Sequence, residues 1–98
     1  MIQRKWMITA TLLISAVAAM AQVKTGIEVL RERNFDILQG KRVGLCTNPT
    51  GVDRNLVSTI DILWEAENVN LVALYGPEHG VRGNIYAGDH VDNEVDPK

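Results

Sequence analysis

The chain has 98 residues, with 10 Lys and Arg against 12 Asp and Glu and a net charge of −2, and that length holds one small domain at most. So mildly acidic a balance offers no basic patch of the kind that a nucleic-acid or anionic-membrane surface requires. Cys46 is the sole cysteine, which excludes an intrachain disulfide, and its place in an apolar run predicts a small buried hydrophobe.

Residues 1–21 read as a signal peptide. Arg4 and Lys5 give a basic start, and Met7 to Met20 is an uncharged apolar stretch of h-region length, too short to span a bilayer. Ala19-Met20-Ala21 places small residues at the −3 and −1 positions of a cleavage site before Gln22. A buried amino-terminal helix and a membrane anchor are the alternatives. The leader reading predicts an exported protein, periplasmic or extracellular, without membrane contact once it is cut. Its mature part, residues 22–98, carries 8 basic and 12 acidic side chains.

Thr25 to Arg33, TGIEVLRER, predicts a short helix with Ile27, Leu30 and Phe35 on its apolar side. A turn at Gln39-Gly40-Lys41 leads into RVGLCT, residues 42–47, a predicted buried strand. Asn48-Pro49-Thr50-Gly51 breaks that strand, since Pro and Gly together mark a loop. A second helix follows, with Ser58 or Thr59 as its N-cap and Asp61 in its first turn. Ile60, Leu63, Trp64 and Val57 recur at helical spacing and predict its apolar face. NLVALY, residues 70–75, is a second apolar run of strand length that ends at Gly76-Pro77.

Two short apolar strands around one amphipathic helix fit a βαβ unit of a parallel sheet, the α/β class, with both sheet faces covered. After Gly83 the chain turns loop-like and acidic and is read as a solvated tail. One βαβ unit leaves a sheet face bare, so the chain is expected to be the beginning of a longer protein.

In a parallel sheet the loops leaving the strand ends gather on one edge, where open α/β sheets bind ligands. TNPTGVD and GPEHGVRG are the two such loops here, which predicts Glu78 and His79 on a common rim near Asn48 and Thr50. The plainer reading stands beside this one: a turn with solvated Glu78 and His79, and an Asn48 that bonds to local backbone. Arg82 reads either as a surface charge or as the partner of an anionic substrate group. Other chemistries find no support. GxGxxG after the first strand, GxxxxGK[ST], HExxH and GxSxG are all missing. His79, Asp89, His90, Asp92 and Glu94 match no metal-ligand spacing, so no metal and no cofactor is expected.

GIEVL, LQGKRVGLCTNPTGVD, STIDIL, NLVALYGPEHGVRG and AGDHV, in this order and spacing, resemble the amino-terminal segment of the exo-acting β-N-acetylmuramidases of the NamZ type. These bacterial cell-wall glycosidases were formerly a domain of unknown function. The resemblance runs from about Gly26 to Lys98, and TNPTG together with GPEHGVRG carries its specificity. It implies a Rossmann-like domain, incomplete here, whose site lies in a cleft against a second domain. It implies release of N-acetylmuramic acid from the non-reducing end of peptidoglycan fragments, so the expected partner is a peptidoglycan-derived sugar or muropeptide. It also implies Glu78 as the catalytic acid and Asn48 and His79 as pocket residues. Arg82 is then a candidate for the lactyl carboxylate of muramic acid. The second catalytic group is left to the rest of such a protein or to the substrate's own acetamido group. A non-catalytic sugar-binding module and an inactive truncated product are the competing readings.

Overall fold

The structure, a computed structural model, describes residues 6–10 and 22–98. Residues 6–10 are helical, and the rest of the predicted signal peptide, with its cleavage site, lies outside the described residues. No helix among the described residues is long and apolar enough to cross a membrane.

The elements run α1 (Gly26–Glu32), a 3₁₀ turn (Asp36–Leu38), β1 (Arg42–Cys46), α2 (Thr59–Glu65) and β2 (Asn70–Tyr75). Each helix is only seven residues long, too short to persist without caps and packing. For α1 the Glu28 carboxylate reaches back to accept from the Thr25 N–H at 2.7 Å and the Thr25 hydroxyl at 2.9 Å. Arg54 also donates to Glu28, and that pairing, followed by the Thr25 bond, holds the Glu28 pKa down at about 2. For α2 the Ser58 hydroxyl accepts from the Ile60 N–H at 3.2 Å, which supplies one of the unsatisfied amides of the first turn.

Helix α1 ends in a left-handed pair, Asn34 and Phe35, both at φ 52°. The Phe35 N–H bonds to the Leu30 carbonyl and the Asn34 N–H to that of Arg31, each at 2.9 Å, the Schellman arrangement with Asn in the glycine position. This turn drives the Phe35 ring inward. Phe35, Ile62 and Leu63 form the buried cluster, with Ile27, Leu30, Leu38, Leu45, Ala66, Val69 and Leu71 packed against it. Burial of each large member stabilises the fold by about 1.5–3 kcal/mol.

Strands β1 and β2 pair directly and in parallel, with Val43 opposite Leu71 and Cys46 opposite Tyr75. A register shift between Val43 and Gly44 places an extra residue, Val72, on β2. The expected βαβ unit is therefore present, but two details differ from expectation. The buried residues of α2 are Ile60, Ile62 and Leu63, while Trp64 is 58% and Val57 41% exposed. Phe35 packs on the Ile62 side of α2, and the buried stripe turns away from Trp64. Cys46 is exposed rather than buried, because exposure alternates along β1 with Val43 and Leu45 facing inward. The bare sheet face expected of a single βαβ unit is seen among the described residues, where Val72 and Tyr75 remain exposed. Gly44 leaves room on that face, for a Cβ there would stand 3.1 Å from the Tyr75 ring.

Candidate functional site

Parallel pairing fixes where the two long loops begin. Cys46 and Tyr75 are opposite one another at the carboxyl ends of their strands, and the Thr47 N–H extends the ladder to the Tyr75 carbonyl at 2.9 Å. Both loops leave from this edge.

The first loop is built from its own polar side chains. The Asn48 Oδ1 accepts from the Thr50 N–H at 3.0 Å and the Thr50 hydroxyl at 2.7 Å, an Asx turn. Asp53, buried at 2% exposure, organises the return to α2. Its carboxylate accepts from the Asn55 and Val57 amides at 2.9 and 3.0 Å and pairs with Arg31 at 3.0 Å. The Val57 amide above all, and Arg31 after it, hold the Asp53 pKa below the usual carboxylate range.

The second loop folds back on itself. The Ile85 N–H donates to the His79 carbonyl at 3.3 Å, and His79 Nδ1 meets the Ile85 carbonyl at 3.0 Å. A carbonyl only accepts, so Nδ1 is the donor in this bond, and Nε2 has no hydrogen-bond partner among the described residues. Gly83, at φ +72°, sits so close to the first loop that a Cβ would stand 2.7 Å from Pro49 Cγ. No side chain fits between the two loops at that point.

Asn48, Pro49, Thr50, Pro77, Glu78, His79 and Gly83 line one cavity of about 440 Å³, within the size range of small-ligand sites. Three of the four sequence-predicted site residues, Asn48, Glu78 and His79, are thus brought together. Among the described residues their chemistry is complementary: a carboxylate with no side-chain partner, an imidazole whose Nε2 is unbonded, and an amide whose oxygen is used locally while its NH₂ has no hydrogen-bond partner. Glu78 is exposed and has a φ of 35°, a backbone conformation that costs a non-glycine residue about 1–2 kcal/mol.

Arg82 is elsewhere. It lines a second cavity, with Asp61, Trp64, Val72 and Asp96 among its neighbours there. Its Nε and Nη2 donate to Asp96 at 2.9 and 3.1 Å, and Nη2 also donates to Asp61 at 3.1 Å. The two carboxylates raise the Arg82 pKa, and Arg82 in turn holds both Asp61 and Asp96 below the usual range. Asp96 therefore does not belong to a freely solvated tail. Sequence reasoning missed this cluster, since Asp61 and Asp96 stand 21 and 14 residues from Arg82 and no local spacing links them. Among the described residues no His, Cys, Asp or Glu cluster is placed to hold a metal ion. His90 and Asp92 pair with each other at the surface.

A family model described as the amino-terminal part of the exo-β-N-acetylmuramidase NamZ matches residues 43–98, more than half of the chain and both loops of the cavity. The chain belongs to this family. Its NamZ relatives include the peptidoglycan β-N-acetylmuramidase of Bacillus subtilis (strain 168), 51% identical over 77 residues that cover 79% of this chain and 19% of that protein. A crystal structure of a DUF1343 family protein from Bacteroides fragilis NCTC 9343 superposes with a TM-score of 0.62 at 77% identity, over 67% of this chain and 17% of that one. The chain thus spans about a fifth of the length of the relatives it matches.

Proposed function

We propose that this chain is the acid-bearing segment of an exported exo-β-N-acetylmuramidase that removes terminal N-acetylmuramic acid from peptidoglycan fragments. The observation that carries this reading is the single cavity that holds Glu78, His79 and Asn48 at the carboxyl edge of two parallel strands in a NamZ-family chain. Glycoside hydrolysis needs a proton for the leaving oxygen. Glu78, with no competing side-chain partner among the described residues, is the group to deliver it. The Asn48 NH₂ donates to a sugar hydroxyl or acetamido oxygen, and His79 Nε2 accepts from a neighbouring hydroxyl. A carboxyl acts as an acid near neutrality when it is desolvated. In this reading the desolvating wall, and the rest of a Rossmann-like sheet, come from the family's length outside these 98 residues.

The test replaces the matched segment of the B. subtilis enzyme with residues 22–98 and assays the chimera on a chromogenic N-acetylmuramic acid glycoside. Glu78→Gln in that chimera is expected to lower kcat by about 10²–10⁴-fold, the usual worth of a positioned acid. Turnover near that of the unsubstituted chimera removes Glu78 from the role.

A further inference from the structure

We propose that Arg82 is a positioning residue, a clamp that fixes the Glu78 loop to helix α2 and to the acidic segment at Asp96. The inference rests on the reading of Glu78 as the acid. Its basis is mechanical. Residues 79–85 close into a ring through the two His79–Ile85 hydrogen bonds, and Arg82 lies inside that ring with Glu78 one residue before it. A guanidinium held by the fork on Asp96 and the further bond to Asp61 therefore fixes the ring, and through it the Glu78 backbone. One anchor is on a packed element: Asp61 is followed directly by the buried Ile62 and Leu63. Asp61 is in turn held by Lys98 at 3.2 Å. Such a clamp resists the relaxation that the positive φ of Glu78 invites.

The same geometry argues against Arg82 as reader of the lactyl carboxylate. The guanidinium is absent from the lining of the Glu78 cavity, and an anion approaching it meets the carboxylates of Asp61 and Asp96, with Glu94 lining the same space. Arginine suits the clamp because its planar fork engages one carboxylate with two parallel bonds, which a lysine does not reproduce.

Amide hydrogen exchange on the 98-residue chain reads the clamp at Ile85, with Thr47, bonded to Tyr75 across the strands, as the control. In Arg82→Lys, and again in Asp96→Asn, exchange at Ile85 is expected to rise on the order of tenfold, the loss of one charge-assisted bond, with Thr47 unchanged. In the chimera the same variants are expected to lower kcat with little change in KM, equally on muramic and glucosamine glycosides. Unaltered exchange at Ile85, or a rise shared equally by Thr47 in both variants, overturns the clamp. So does a KM increase confined to the muramic substrate, which assigns Arg82 to the lactyl group instead. If Glu78→Gln retains turnover, the acid assignment fails while the exchange result still reports on the clamp, so the two failures are distinguishable.

Discussion

Gly83→Ala is the sharpest probe of how the cavity is held together. The new methyl carbon would sit 2.7 Å from Pro49 Cγ and 3.4 Å from Pro49 Cβ. Carbons in comfortable contact stand about 3.5–4.0 Å apart, so the methyl or the ring must give by roughly 1 Å. Overpacking of this kind costs about 1–3 kcal/mol. The backbone adds a second penalty, because the φ of +72° costs a residue with a Cβ about 1 kcal/mol or more. Together these give a loss of about 2–4 kcal/mol in urea unfolding. The two parts separate in a double-mutant cycle. Pro49→Ala removes the ring, so Gly83→Ala in that background should cost only the backbone part, about 1 kcal/mol. Pro49→Ala alone corrects for the entropy that proline removes from the unfolded chain. A coupling below about 0.5 kcal/mol between positions 49 and 83 would falsify the idea that this contact joins the two loops.

Acid should act on the chain through Asp53, among others. Its pKa is lowered in the fold, so its stabilisation is fully present above the unfolded value near 3.9 and is lost as pH falls through the lower folded value. Asp53→Asn is expected to be less stable than the parent at pH 7, with the gap closing below about pH 4. A gap in urea midpoints that stays constant down to pH 2.5 contradicts this. On α2, Leu63→Ala is expected to cost about 2–5 kcal/mol and Trp64→Ala no more than about 0.5 kcal/mol in this chain. Thermal melts that show comparable losses for both would return Trp64 to the buried face.

The features that sequence reasoning anticipated are those set by neighbours along the chain. Ser58 capping α2, the glycine-bearing breaks at residues 48–51 and 76–83, and the short apolar strands each follow from residues a few positions apart. The meeting of Asn48 with Glu78 was also legible, although 30 residues separate them, because parallel pairing leaves little choice about where strand ends point. The missed Asp61–Arg82–Asp96 cluster and the exposed Trp64 share an origin in distant partners. Arg82 finds Asp61 and Asp96 only once the chain has folded. Trp64 loses its place inside because Phe35, swung inward by a left-handed turn, selects the Ile62 side of α2. Cys46 is outward because the strand alternates, while an unbroken apolar run conceals that alternation.

The backbone at Glu78 has a practical consequence for anyone engineering this protein. Glycine would sit there without strain, and asparagine nearly so. A library screened for heat resistance alone will therefore enrich such replacements and, round by round, discard the Glu78 carboxylate from the cavity. Enrichment tables from such a screen would score as improvements the substitutions that remove the proposed acid.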